Sequence, residues 1–207
     1  MAIIEPGSHL LHRGGSCLIR VGEESDAPAM VAHQGHMVAT DPNTVREPGD
    51  PDRSLAEWQE YIRKAREEPC HLLLFAFDPR PPEGGPEGGL IGGLHFSNGN
   101  RRKVAHHGHF GLSVHADWRG MGVGSAMISV LLNWAAANPT LEKVCLGTLA
   151  TNEGAKRLYE RLGFVEESRV PRFFKLEPGR YVDDIQMSIY VKPGIAPEGF
   201  RTFPSVK

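Results

Sequence analysis

The sequence predicts a mixed α+β domain in which seven strands and four helices surround one core. Three observations predict it: apolar residues recur at helical spacing in four segments, alternating or wholly apolar runs fill seven others, and turn-forming residues separate them. Of the 207 residues, 40% are hydrophobic and 23% charged, which is typical of a globular chain long enough to bury a core as one domain. The predicted order of elements is β-α-α-β-β-β-α-β-α-β-β.

The first half of the chain supplies two helices and four strands. We expect a loose leader over residues 1–15, because this segment is mixed and ends on Gly14 and Gly15. Next we expect a strand over 17–21 and a helix from 23–26 to about 39. A Pro- and Gly-rich loop over 41–52 follows, and then a helix that Ser54 caps and Pro69 ends. Strands over 71–77, 90–96 and 110–114 follow, with a long Pro- and Gly-rich connection over 78–89.

The second half supplies two helices and three strands. An amphipathic helix begins at Val123 and ends before Pro139, and a strand over 143–149 follows it. Asn152 caps a short helix that Gly163 terminates. A strand from 164 onward and another over 182–191 complete the domain, which we place at residues 16–192. Residues 193–207 are expected to form a weakly ordered tail.

Charge and composition exclude several classes of protein. The 25 acidic and 23 basic residues give a net charge of −2, so we expect no nucleic-acid partner. The sequence contains no apolar run of the ~20 residues that cross a bilayer and no signal-peptide core, so a cytoplasmic protein without a membrane partner is predicted. Cys17, Cys70 and Cys145 are odd in number and lack Cys-x-x-Cys spacing, which favours free thiols in the core over disulfides.

A glycine-rich turn joins the fourth predicted strand to the helix after it. Gly120, Gly122 and Gly124 would let main chain approach a phosphate, and the unpaired amides at a helix start favour an anion. Arg119 would add a charged contact. The P-loop ending is absent, and Met127 stands where a dinucleotide fingerprint needs glycine or alanine. Taken alone, this turn is equally compatible with a phosphate site and with a turn placed for packing.

A second segment favours the functional interpretation. It begins at Asn152 and continues through Ala155, Leu158 and Tyr159 to Gly163 and Phe164. Together with Arg119, Gly122 and Gly124, it resembles the two cofactor motifs of the GNAT superfamily of acetyl-CoA-dependent N-acetyltransferases. The resemblance covers residues 16–192, although Ala116 stands where the family often has proline.

The resemblance implies a fold, a cofactor and a set of contacts. The sheet would be mixed and mostly antiparallel within an α/β/α sandwich, with the fourth and fifth predicted strands splayed apart around the pantetheine arm. Acetyl-CoA would be a co-substrate, with no metal. The implied cofactor contacts are Leu112, Ser113 and Val114 on the strand, Arg119, Gly120, Met121, Gly122, Val123, Gly124 and Ser125 in the loop, and Asn152 and Tyr159 on the later helix.

The resemblance also implies direct transfer to an amine. The amide near Val114 would polarise the thioester carbonyl, and Tyr159 would act as the acid for the departing thiolate; the alternative is that Tyr159 only packs. The general base that would deprotonate the amine is not identified; the candidates are His109, His115 and Glu153. His106, His107 and His109 form a small cluster, which we interpret as a solvated strand face because no acidic or cysteine ligand lies at recognisable spacing.

The amine that accepts the acetyl group would be a peptide N-terminus, a polyamine or another small amine. The sequence is also compatible with a homodimer. Asp183 and Asp184 would attract a cationic acceptor or simply lie at an exposed hairpin end. Loops over 41–52 and 173–181 would flank the acceptor pocket, while the 78–89 connection would overhang it or be disordered. Two other functions compete: a non-catalytic acetyl-CoA-binding or sensing module, and a nucleotide-binding protein that uses the glycine turn.

Overall fold

The computed structural model describes residues 4–12, 14–80, 83 and 85–204, and it confirms the fold class. Within these residues, eight strands form one sheet in the order β1-β2-β3-β4-β5-β6-β8-β7, with four α-helices. The elements are β1 Gly7–Leu10, β2 Ser16–Val21, α1 Ala27–Thr40, α2 Leu55–Glu67, β3 His71–Phe77, β4 Leu90–Asn98, β5 His107–Val114, α3 Val123–Ala137, β6 Lys143–Leu149, α4 Glu153–Arg161, β7 Val165–Glu177 and β8 Arg180–Tyr190.

The chain divides into two compact units, one of residues 1–96 with 112–129 and one of residues 97–111 with 130–207. In the first unit, α1 and α2 each bury an apolar stripe against β3. Ser54 caps α2 as predicted, and it forms a capping box with Glu57: Ser54 Oγ accepts from Glu57 N while the Glu57 carboxylate accepts from Ser54 N. The buried cluster comprises Ala27, Ala29, Trp58, Ile62, Ala65, Leu73, Phe75, Phe77 and Leu90.

The second unit is built around the parallel pair β5 and β6 and the antiparallel strands β8 and β7. The register of β5 and β6 comprises three pairs, from His107 with Lys143 to His109 with Cys145. Phe110 and Gly111, the next residues of β5 in this unit, have no pair in β6. Pairing that stops after three residues agrees with the predicted splay of these strands, which the sequence numbered four and five.

The leader prediction needs correction, because the first strand of the sheet lies within residues 1–15. Gly7–Leu10 pairs antiparallel with β2, and Gly14 and Gly15 belong to the turn between the two strands. The sequence did not predict this strand because its side chains do not alternate between apolar and polar, and Leu10 is 90% exposed. The sheet therefore has eight strands among the described residues, one more than predicted.

Two predictions for the C-terminal region also need correction. Residues 173–181 are not a loop: β7 and β8 continue through them as a hairpin, with Phe174 paired to Val182 and Glu177 to Arg180. The tail also folds back, because Tyr190 N donates to Arg201 O at 3.1 Å and Phe203 N donates to Tyr190 O at 2.7 Å. Both features depend on pairing between main-chain groups, which the side-chain pattern of the sequence does not reveal.

Parts of three predicted segments lie outside the described residues: 1–3 and 13 in the leader, 81, 82 and 84 in the 78–89 connection, and 205–207 in the tail. In the part of the chain that the structure covers, none of the helices combines the length and hydropathy that a membrane crossing requires. All three cysteines are free, and Cys17 and Cys145 are buried as predicted, whereas Cys70 is only half-buried.

Candidate active site

The glycine turn of the first unit leads directly into α3. Gly120 and Gly122 have φ angles of +71° and +103°, a region that side chains disfavour, and this explains glycine at both positions. Ala126 N donates to Gly122 O at 3.0 Å, the bond expected of the fourth residue of a helix. The amides of Val123, Gly124 and Ser125 therefore lie ahead of the helical hydrogen-bond ladder, as an anion site at a helix start requires.

Arg119 is already engaged by its own unit. Its Nε donates to Val114 O at 3.0 Å, and its guanidinium forms an ion pair of 3.2 Å with Asp41. Asp41 lies just beyond α1, in the segment predicted as a loop flanking the acceptor. An anion bound at the turn would therefore share the charge of Arg119 with Asp41, which weakens the direct phosphate contact expected of this residue.

The N-terminal segment contacts the same turn. His12 N donates to Met121 O at 2.8 Å. A Cβ at Gly122 would lie 2.9 Å from the His12 ring, whereas one at Gly120 would meet nothing within 4 Å. The segment taken for a loose leader thus supports the backbone of the turn, a contact that only the tertiary structure reveals.

We expect Gly122→Ala to destabilise the turn more than Gly120→Ala. Both variants place a side chain at positive φ, but Gly122 lies further from the allowed left-handed region and its new Cβ also meets His12. We expect a loss of ~1–3 kcal/mol for Gly122→Ala and about 1 kcal/mol for Gly120→Ala in urea unfolding. Equal losses in the two variants would contradict this assignment.

The end of β5 is tied to α1 by a side-chain contact that the sequence did not predict. Ser113 Oγ lies 2.9 Å from His33 Nε2, and His36 stacks on His115 with ring centroids 3.7 Å apart. Burial, together with the smaller effect of the charges of His115 and His36, lowers the pKa of His33 to about 4. His33 is therefore a neutral imidazole near pH 7. The signal of this contact in the sequence was the spacing of His33 and His36, which lie three residues apart on a predicted helix and therefore on one face of it.

Stability should depend on pH through His33. Its folded pKa of about 4 lies below the ordinary 6.5, so the unfolded chain takes up this proton first and stability is lost as pH falls from 6.5 towards 4. We expect the wild-type free energy of unfolding to fall by roughly 3 kcal/mol more over this range than that of His33→Gln. Urea unfolding at several pH values measures both, and identical pH profiles would contradict the assignment.

The three candidate bases lie in different settings. His115 is buried, and its Nδ1 accepts from Asp117 N at 3.4 Å, so it caps a 3₁₀ turn. His109 is exposed on β5. Glu153 is exposed in the first turn of α4 and pairs with Lys156 at 3.2 Å. These contacts give each residue a local role, and none of them identifies the base.

Helix α4 carries the second predicted motif. Asn152 Oδ1 accepts from Ala155 N at 3.1 Å, so Asn152 caps the helix, and Gly163 ends it at a φ of +96°. Tyr159 is buried, with its ring 6.0 Å from that of Phe110 and 5.9 Å from that of Phe164. Burial raises the pKa of Tyr159 to about 12, so its hydroxyl remains protonated at neutral pH.

The two aspartates of β8 have opposite settings. Asp183 Oδ1 accepts from Arg172 N at 2.9 Å, and its other oxygen lies 3.6 Å from Arg169. Asp184 is only 5% exposed, and its Oδ2 accepts from Gln186 Nε2 while its Oδ1 has no hydrogen-bond partner. An unpartnered buried carboxylate oxygen is energetically costly and calls for a ligand or another compensating group.

Gly147 of β6 makes room beside this carboxylate. It pairs with Gln186 in the sheet, and it is exposed. A Cβ at Gly147 would lie 2.7 Å from Gln186 Nε2 and 3.1 Å from Asp184 Oδ1. The absence of a side chain at Gly147 therefore leaves the position beside the unpartnered oxygen of Asp184 free of a Cβ.

The mixed sheet, the glycine turn at the start of α3 and the capped helix α4 are the arrangement that the resemblance to acetyltransferases implied. The family model described as "Acetyltransferase (GNAT) domain" matches residues 17–165. The chain therefore belongs to the GNAT acetyltransferase family, as the sequence motifs indicated, and is an acyltransferase. Comparison with curated proteins finds no significant match.

Solved structures share the fold at low sequence identity. A GNAT-family acetyltransferase from Streptococcus pneumoniae is 24% identical, with a TM-score of 0.76 over 84% of this chain and 99% of the other. A phosphinothricin acetyltransferase from Sinorhizobium meliloti, in complex with AcCoA, is 19% identical, with a TM-score of 0.71 over 89% and 95%. A ribosomal-protein-S5-alanine acetyltransferase from Vibrio fischeri is 19% identical, with a TM-score of 0.67 over 92% and 100%.

Proposed function

We propose that this protein is an N-acetyltransferase that moves the acetyl group of acetyl-CoA to a cationic amine. The start of α3 carries the proposal, because the amides of Val123, Gly124 and Ser125 precede the helical hydrogen-bond ladder, and a helix start of this kind favours an anion. These amides, with those of Gly120 and Gly122, would bind the diphosphate of the coenzyme. Membership of the family and the acetyl-CoA complex of a structural relative support this assignment.

The reaction would proceed by direct attack. The amine nitrogen, in its neutral form, forms a bond to the acetyl carbonyl carbon, and the carbonyl electron pair moves to oxygen, where main chain at Leu112 to Val114 would stabilise it. The tetrahedral intermediate expels the thiolate of coenzyme A, and the nitrogen loses its extra proton. The products are an amide and, once that proton reaches sulfur, free coenzyme A.

Tyr159 would assist the departure of the thiolate as a hydrogen-bond donor. With its pKa raised to about 12, it is a weaker acid than a thiol of pKa ~8.5, so complete proton transfer would be uphill by ~5 kcal/mol. A hydroxyl that stays protonated can still stabilise the charge that develops on sulfur. The proton that finally neutralises the thiolate would come from the attacking amine, directly or through water.

Asp184 would recognise the ammonium form of the acceptor or a second cationic group on it. Its free oxygen beside Gly147 offers a charge-assisted hydrogen bond. Asp183 is less suited to this role because both of its oxygens already face the backbone or side chains of arginines. The relatives described above act on an alanine of a ribosomal protein and on phosphinothricin, and their acceptors do not decide between a peptide and a small amine here.

Thermal unfolding with single ligands tests the cofactor. Acetyl-CoA and coenzyme A should raise the melting temperature of the wild type, whereas ATP and NAD should not, because a ligand that binds only the native state stabilises it. A shift with ATP or NAD alone would favour a nucleotide-binding protein.

A panel of peptides with free N-termini, polyamines, amino acids and aminoglycosides then tests whether the protein transfers the acetyl group to an amine. Cofactor binding with no acetylated product from any of these amines would favour the binding or sensing module.

A further inference from the structure

A second site lies in the second unit, on one face of β5 and β6. His107 and His109 are two residues apart on β5, so their side chains lie on the same face of the sheet. Cys145 of β6 is the Cα partner of His109 in the parallel register, which brings its thiol to that face as well. The donor atoms of His107, His109 and Cys145 all lie within 4.8 Å of one another.

These three residues are part of one groove of about 390 Å³. Cys145 is buried, His107 is half-buried and His109 is exposed, so the cluster is reachable from solvent. The rest of the groove includes Glu142, Lys143, Glu167, Gln186 and Tyr190. The wall of this open groove therefore carries two imidazoles and a thiol close together. Packing of the surface does not require these three metal-binding groups at one place.

We propose that His107, His109 and Cys145 bind a divalent zinc ion. Zinc takes imidazole nitrogen at ~2.0–2.1 Å and thiolate sulfur at ~2.3 Å in tetrahedral geometry, which places ligand atoms roughly 3.5 Å apart. Side-chain rotations that bring the donors about 1 Å closer would complete this geometry. Three protein ligands leave the fourth position for water, which the open groove admits.

The charges around the cluster do not oppose a cation. Lys143 is the nearest positive side chain on β6, but it forms an ion pair with Glu167, which lines the same groove. Glu142 adds a further carboxylate to the groove. Binding displaces the thiol proton of Cys145 to solvent, so the ion gains one thiolate ligand and no redox partner is needed.

The ion would join β5 to β6 at the end where the two strands are paired. The three-pair register contains all three ligands, so a bound ion would cross-link this part of the sheet. The sequence did not predict the site because Cys145 lies far along the chain from the histidines, at no recognisable ligand spacing. The expectation that the histidines only form a solvated strand face is replaced by this proposal.

Zinc binding to the full chain, without a histidine tag, tests the site. Calorimetric titration with ZnCl₂ should give one ion per chain, and Co²⁺ in its place should give a thiolate-to-cobalt charge-transfer band. His109→Ala, at an exposed position, should weaken zinc binding by more than the roughly 10–100-fold that loss of an outer-shell partner costs. Cys145→Ser should abolish the charge-transfer band. The zinc-dependent rise in melting temperature should disappear in both variants.

Cys70→Ser is the matched control, because Cys70 is the thiol of a second trio with Glu68 and His71. This variant should bind zinc and cobalt as the wild type does. Absence of binding to the wild type, unchanged binding in both His109→Ala and Cys145→Ser, or loss of the cobalt band in Cys70→Ser would each overturn the proposal. None of these readouts depends on acetyl transfer, so failure of the proposed function leaves this test intact.

Discussion

Tyr159→Phe should lower kcat for acetyl transfer about 100-fold while the Kd for coenzyme A changes less than twofold. The substitution removes one hydroxyl that would donate to the departing thiolate, and loss of a single such donor costs ~10²–10³ in rate. The aromatic ring remains, so its contacts with Phe110 and Phe164 persist. Steady-state kinetics with a saturating amine and calorimetric titration with coenzyme A measure the two quantities.

Tyr181→Phe is the matched control for this experiment. Tyr181 lies on the exposed β7–β8 hairpin, where its ring contacts the guanidinium of Arg172, and loss of its hydroxyl should leave kcat unchanged. If Tyr159→Phe retains the wild-type kcat, Tyr159 is a packing residue only. If it unfolds the protein, circular dichroism will show it, and Tyr159→Trp would then report whether ring packing limits the fold.

Asp184→Asn should reduce kcat/KM for a cationic acceptor by ~10²-fold or more, with the effect mainly in KM. The variant preserves size and removes the charge, and truncating one partner of a buried charged hydrogen bond costs about 2–5 kcal/mol. Coenzyme A affinity should be unchanged, because the proposed role of Asp184 concerns the amine alone. Initial rates over a range of acceptor concentrations separate KM from kcat.

Asp183→Asn provides the matched comparison one residue away. Its amide oxygen can still accept from Arg172 N, so this variant should retain kcat/KM within about twofold. A larger loss in Asp183→Asn than in Asp184→Asn would transfer acceptor recognition to Asp183. Equal and small losses in both would remove the β8 carboxylates from acceptor binding.

The helices of this protein were predictable because their signals are local. Ser54 and Glu57 form the capping box, Asn152 caps α4 through Ala155, and Gly163 adopts the positive φ that ends this helix. Each of these interactions joins residues no more than four positions apart, so the sequence contains both partners. The glycine turn was recognisable for the same reason, since Gly120 and Gly122 are required by their own backbone angles.

The backbone pairings near the two ends of the chain were less predictable. β1 pairs through its backbone, and its one large apolar side chain, Leu10, is 90% exposed, so its sequence lacks the apolar–polar alternation that marks a strand. Arg201 and Phe203 return to Tyr190 through main-chain hydrogen bonds. Backbone groups are the same in every residue, and pairing that relies on them leaves little trace in side-chain patterns.

By itself, the sequence determined the helices, the glycine turn, the order of the elements after β1 and, through its two motifs, the acetyltransferase family. Only the tertiary structure decided which side chains meet: Arg119 with Asp41, His33 with Ser113, and Cys145 with His109. It also distinguished Asp184, buried with a free oxygen, from its paired neighbour Asp183. The physical reason is range: caps and turns form between neighbours, whereas burial and charge pairing depend on strands and helices distant in sequence.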